Sequence, residues 1–190
     1  MSDARTIAFY DSEAPSYAKS AQVSADLAAF AALLPKGAAV LDLGCGAGQD
    51  SAALRQLGFN VTSVDASLGL AQQARQRGVD VRVLDIAALD YDAAFDGVWA
   101  RGSLHHLDCA ALPAAFAAIR RALRGSSLLH AAMKKHPADR RDKFDRFFCR
   151  MDEADLAALV SDWSSHTIGV HAGGGYDGEA TDWLMLRARR

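Results

Sequence analysis

Residues 40–51 read VLDLGCGAGQDS. The apolar run from Ala38 to Leu43 ahead of the turn fits a buried strand, and Ala47 to Leu57 behind it fits a helix that ends near Gly58. Between them lie Gly44, Cys45, Gly46, Ala47 and Gly48. Glycine lets the backbone bend sharply and come close to a ligand, while the start of the helix offers unpaired N–H groups. A nucleotide-type ligand follows from this turn; which one needs more of the chain.

The flanking sequence repeats the same order of elements. Asn60–Val64 is a second strand and Ser67–Arg77 a second helix, with Ser67 as N-cap and Gly78 just past its end. Val79–Leu84 and Phe95–Ala100 are further strands. Leu112, Phe116, Ile119 and Leu123 form the apolar stripe of a helix with Pro113 in its first turn and Gly125 as its expected cap, followed by a strand from Ser126 to Met133. Asp152 starts a helix whose face is Leu156, Leu159, Val160 and Trp163. Before all of these, Val23, Leu27, Phe30 and Leu34 recur on one helical face, so residues 1–36 read as a helical lead-in closed by Pro35. Strands alternating with helices predict an α/β fold, a doubly wound parallel sheet with helices on both faces. The last two strands, His166–Val170 and Thr181–Ala188, are joined only by a loop with Gly173, Gly174 and Gly175. Such a link is too short for a parallel crossover, so the pair must be antiparallel.

The 190 residues suit a single domain. With 21 basic and 23 acidic residues the formal net charge is -2, which supplies no electrostatic footprint for nucleic acid. No apolar run approaches the roughly 20 residues of a membrane span. The acidic N-terminus lacks a signal core, and Cys45, Cys109 and Cys149 lack metal-site spacing, so a cytoplasmic protein without a metal or structural zinc is expected.

Two details separate the candidate ligands. The dinucleotide fingerprint G-x-G-x-x-G would put its third glycine at position 49, where Gln49 stands; the third glycine is Gly48. Asp42 precedes the loop, and a carboxylate there repels a pyrophosphate but attracts an ammonium or sulfonium. S-adenosylmethionine (SAM) is therefore expected over NAD. Asp65 ends the second strand, where a carboxylate can accept both ribose hydroxyls. Asp85 ends the third, beside Ile86, and would present an acceptor and an apolar wall to adenine. Taken singly, each acid reads better as a turn or cap residue; the three together, in register with one glycine loop, favour the ligand.

These motifs, with VTSVDAS (61–67), VRVLDIAAL (81–89) and FDGVWARGSLHHL (95–107), resemble the class I SAM-dependent methyltransferases, nearest the small bacterial ubiquinone-biosynthesis and tellurite-resistance types. The resemblance implies a Rossmann-like sheet of seven strands with the last antiparallel. By position it implies that Asp42 and the segment Gly44, Cys45, Gly46 and Gly48 flank the methionine moiety. Asp65 would hold the ribose with Ala66 against the adenine, Asp85 and Ile86 would read the adenine, and the backbone near Arg101 would meet the methionine amino group. The product would be S-adenosylhomocysteine. A SAM-binding protein without catalysis is a second reading, and an NAD-dependent oxidoreductase a third.

Methyl transfer chiefly demands positioning, so few side chains are obligatory. His106 is the preferred base, with Tyr10 and Tyr17 in a segment expected to fold over the cofactor. His105 and the stretch Phe144–Arg150 could complete an acceptor pocket. The alternatives are loop contacts for the histidines and packing for the tyrosines. No Asn/Asp-Pro-Pro-Tyr motif follows the fourth strand, which together with the charge balance points to a small-molecule acceptor. Monomer and homodimer both stay open.

Overall fold

A computed structural model describes residues 2–190. Its centre is a seven-stranded sheet built from β1 (Ala39–Leu43), β2 (Asn60–Asp65), β3 (Val81–Val83), β4 (Phe95–Arg101), β5 (Leu123–Lys134), β8 (Ser165–Gly174) and β9 (Ala180–Arg189), in the order β3-β2-β1-β4-β5-β9-β8. The first five pair in parallel; β9 runs antiparallel to both β5 and β8. Chain order reverses between β1 and β4, so the ends of these strands open a crevice at the switch point.

Alternate residues of β1 feed opposite faces. Leu41 and Leu43 join the larger core, against α5 (Leu112–Ala122) and α6 (Glu153–Leu159), while Val40 joins Leu27, Phe30, Leu54, Trp99 and Leu128 on the other. That second face is covered by α2 (Leu27–Ala31) and α3 (Gln49–Gln56). Next to it Ala71 and Ala74 of α4 (Leu68–Gln76) pack with Cys45, Val79 and Val81. Ser67 caps α4 by accepting from Leu70 N, and Asp152 and Asp155 form a reciprocal capping box at the start of α6.

Several local expectations are corrected. The lead-in is not one helix near Pro35. A 17-residue helix, α1 (Ala4–Ser20), carries Pro15 in its interior, and α2 is only five residues long with Val23 exposed. Ser24 diverts the chain between them, giving its N–H and hydroxyl to the buried Asp50. Gly125 caps nothing: Leu123 is already extended and begins β5, and the slack is taken up by a register shift opposite Phe95–Gly97 and by Ser126 in the left-handed region. Gly173 and Gly174 belong to β8, and the turn is tightened instead by Gly175 N–H donating to the carbonyl of Glu179. A hairpin of β6 (Arg140–Arg141) and β7 (Phe147–Phe148) fills the segment after β5. Cys109 and Cys149, far apart in sequence, are joined as a disulfide, leaving Cys45 as a free, buried thiol. No described helix is long and apolar enough to cross a membrane.

Candidate active site

The glycine turn is held from below. Gly44 and Cys45 donate to the carbonyl of Val64, and Gly46 N–H donates to Asp65 Oδ2 at 2.8 Å. Ser67 N–H donates to Asp65 Oδ1, also at 2.8 Å. Asp65 is thus an anchor for two backbone turns as well as a wall of the crevice; burial pushes its carboxyl up to about 6 despite those donors. Gly44 and Gly48 both have positive φ and close neighbours: a side chain at Gly44 would overlap Ser103, and one at Gly48 would meet Ala74 Cβ at 2.8 Å.

A small cavity of about 80 Å³ opens over this turn. Gly44, Gly46, Asp65, Ala66, Ile86 and Arg101, all singled out in the sequence, line it together with Ser2, Thr6, Ile7, Ser67, Leu70, Gly102 and Ser103. Tyr10, Tyr17 and His106 complete its wall. Four expected residues are absent from the lining. Asp42 is buried behind the turn, where its carboxyl accepts from Ser51 Oγ at 2.6 Å and burial pushes it up to about 8. Asp42 thus stands behind the turn and off the cavity wall. Cys45 is buried with its thiol pushed up, an inert filler. Gly48 serves the packing of α3 on α4. Asp85 is occupied by Ser2, whose N–H and hydroxyl both reach it at 3.0 Å, and by Ala87 N–H at 2.9 Å.

Helix α1 roofs the cavity. Asp3 caps it, bonding Thr6 N–H, and a fork from Arg141 holds that carboxylate well below its usual range. Asp11 accepts from Ser67 Oγ at 2.6 Å and from Gly69 N–H at 2.9 Å, joining α1 to the start of α4. Pro15 has no N–H for the Asp11 carbonyl, and that carbonyl lies 2.6 Å from where a Gly69 side chain would begin. The glycine is what lets the two helices meet.

Tyr10, Tyr17 and His106, read separately from the sequence, come together. The Tyr10 hydroxyl lies 3.1 Å from His106 Nε2 and accepts from Arg146 Nη1 at 2.9 Å; the two tyrosine rings meet edge to face. His106 Nδ1 sits 2.6 Å from the Phe147 carbonyl, which assigns the proton to Nδ1 and leaves Nε2 to accept from Tyr10. Burial lowers His106 to about 4, so the ring is neutral near pH 7. Burial raises Tyr10, which stays a phenol. Arg146 is itself clamped by Asp142 through Nε at 2.9 Å and Nη2 at 2.6 Å.

Beyond this cluster lies a second cavity of about 160 Å³. It shares Tyr10, Tyr17, Arg101, Gly102 and His106 with the first and adds His105, Lys134, Arg146, Phe148, Gly174, Gly175, Tyr176 and Trp183. Of the stretch Phe144–Arg150, therefore, Arg146 and Phe148 reach the site, while Arg150 points to Asp155 at the surface. Lys134, Tyr176 and Trp183 escaped the sequence reading. The glycine run around them was the available signal: side chains at Gly175 and Gly173 would collide with Lys134 and Trp183. Among the described residues the one group with three possible metal ligands is Cys109, Asp139 and Cys149, and its two sulfurs are bonded to each other.

Comparison with known proteins adds to this geometry. Residues 40–126 match a family of methyltransferase domains. Over 65 residues the chain is 46% identical to the malonyl-[acyl-carrier protein] O-methyltransferase of Salmonella typhimurium; that stretch is 33% of this chain, which spans about a quarter (26%) of the relative's length. The 1,6-didemethyltoxoflavin-N1-methyltransferase of Burkholderia thailandensis, solved with 1,6-didemethyltoxoflavin and S-adenosylhomocysteine, superposes with TM-score 0.70 at 24% identity over 96% of this chain and 88% of its own. A SAM-dependent methyltransferase of Methanosarcina mazei superposes with TM-score 0.76 at 15% identity, over 90% and 99%. At such identities the likeness is one of fold. Residues 40–126 thus match the methyltransferase-domain family, and the whole chain shares its fold with these solved methyltransferases.

Proposed function

We propose that the protein transfers the methyl group of SAM to a small-molecule acceptor. The observation that carries this reading is the pair of adjoining cavities, one over the glycine turn and one beyond it, sharing the wall of Tyr10, Tyr17, Arg101, Gly102 and His106. S-adenosylhomocysteine in the Burkholderia structure supports the cofactor. The residues present suit it: Asp65 and Ser67 for the ribose, Ala66 and Ile86 against the adenine, and Gly44, Gly46 and the Arg101 segment near the methionine end. When bound, SAM supplies an electrophilic methyl carbon on a sulfonium. The chain's part is to hold the acceptor in line and shut out water, and α1 with its two tyrosines forms the cover.

His106 orients rather than deprotonates in this arrangement. A ring lowered to about 4 is a weak base, and its Nε2 is spent on Tyr10. An acceptor that displaces the Tyr10 hydroxyl would free Nε2 for a proton. We read Asp42, Cys45 and Gly48 as supporting the cofactor turn from behind, and Asp85 as tying Ser2 to the end of β3.

The same proposal has the whole chain act as one domain, as a monomer or homodimer, without nucleic acid; the near-balanced charge supports the last point. A cytoplasmic setting belongs to it as well. The disulfide of Cys109 and Cys149 presses against that setting, since disulfides persist in oxidising compartments, and alkylation of the protein taken directly from cells would decide it. The activity is tested by release of labelled methyl product from SAM across a library of small metabolites. Transfer to at least one of them is expected, and SAM bound but never turned over would favour the non-catalytic reading.

A further inference from the structure

The second cavity carries a charge pattern that the methyl-transfer reading does not use. Its lining includes Arg101, Lys134 and Arg146 and two histidines that burial keeps neutral, but no Asp or Glu. The counter-charges stand outside the lining: Asp177 bonds Lys134 Nζ at 3.0 Å, Asp142 grips Arg146, and Asp26 Oδ1 lies 3.5 Å from Arg101 Nε. Lys134 and Arg146 are 5% and 2% exposed.

Buried ion pairs contribute little to stability compared with apolar side chains of the same size, so two of them along one cavity wall call for another reason. Both cations keep donors in reserve. Lys134 gives one of its N–H groups to Asp177, and Arg146 gives one Nη1 N–H to Tyr10. The backbone is shaped around Lys134, because any side chain at Gly175 would collide with Nζ. The walls beside the cations are aromatic: Tyr176 packs on Tyr17 with ring centroids 5.1 Å apart and carries Arg146 over its face at 5.7 Å, and Trp183 lies under Arg101.

Resting on the methyl-transfer reading, we infer that the acceptor is a small planar anion. Its negatively charged group docks on Lys134 and Arg146, with Arg101 at the mouth, and its flat body lies among Tyr17, Tyr176 and Trp183. Cations that meet an anion away from water bind it more strongly than they would at the surface. A cationic acceptor would face three positive charges with no acid in the lining.

Calorimetry on the full chain saturated with S-adenosylhomocysteine tests this with matched probes: benzoate against benzamide, 4-hydroxybenzoate against 4-hydroxybenzamide, and benzylammonium. The carboxylates should bind at least about ten-fold more tightly than the amides, and benzylammonium more weakly than either. Lys134→Met should shrink the carboxylate preference to within about two-fold while S-adenosylhomocysteine affinity holds. Because that variant strands Asp177, the paired change Lys134→Met with Asp177→Asn serves if it fails to fold. Equal binding of amides, preference for benzylammonium, no binding of any probe, or an undiminished preference in the folded variant would each overturn the inference. A chain that binds no S-adenosylhomocysteine would instead overturn the methyl-transfer reading beneath it.

Discussion

Asp65 has two duties whose separation can be measured. It accepts the N–H groups of Gly46 and Ser67, and its carboxylate lines the cavity where a ribose would lie. Asp65→Ala should weaken SAM binding by about 1–3 kcal/mol, and it should also lower the melting temperature because both N–H groups lose their partner. Asp65→Asn keeps an acceptor and should recover much of the stability but less of the affinity. With the carboxyl pushed up to about 6, SAM affinity should fall as pH drops through that value, since the ionised form accepts hydroxyl donors best. Asp42 makes a separate prediction. Its folded value of about 8 lies above that of an unfolded Asp, so the native state keeps a proton that the unfolded chain has released. Its contribution is fully present in the acid range and is lost as pH rises towards 8. Asp42→Asn should therefore flatten the fall in melting temperature between about pH 5 and about pH 8; an unchanged slope would show that Asp42 is already ionised.

Among the elements, α1 is where structure departs most from sequence. The sequence marked it only as a helical lead-in expected to fold over the cofactor, yet Thr6, Ala14 and Ala18 are buried, Asp11 bonds the first turn of α4, and Arg77 reaches the Ala18 carbonyl at 2.6 Å. Deleting residues 1–20 should cost stability as well as methyl transfer, with a clear drop in melting temperature. Asp11→Ala is the milder test. Losing one capping acceptor costs about 1 kcal/mol, and hydrogen exchange in residues 4–20 should speed up, then slow again when S-adenosylhomocysteine is added. Exchange that ignores both changes would remove α1 from the site. At the turn, Gly48→Ala should destabilise by about 1–3 kcal/mol, read as a lowered melting temperature, because the added carbon meets Ala74 and φ is +81°. The strands around residues 38–100 were legible in sequence because apolar runs and glycine stops are local signals. The hairpin of β6 and β7 was not: its strands are two residues each, held by Thr6 and His106 from elsewhere in the chain and by Arg141 of β6 reaching the Asp145 carbonyl.

In the whole molecule, the sheet order explains why these pieces meet. With β1 and β4 adjacent at the switch point, the loop after β4 brings His106 beside the glycine turn, and α1 crosses both. The cavity over the glycine turn was readable because Gly44, Gly46, Asp65 and Ala66 are each fixed by their own strand ends. The second cavity was not. Lys134 sits at the end of β5, Arg146 in a short hairpin and Trp183 in β9, and only tertiary pairing makes them neighbours. The same holds for Cys109 and Cys149, which no spacing rule joins. Equilibrium binding decides whether the cavity over the glycine turn holds SAM. The full chain titrated with SAM, S-adenosylhomocysteine and NADH should bind the first two at roughly micromolar affinity, about -8 kcal/mol, and not the third. Tighter binding of NADH, or no binding of either adenosyl ligand, would contradict it.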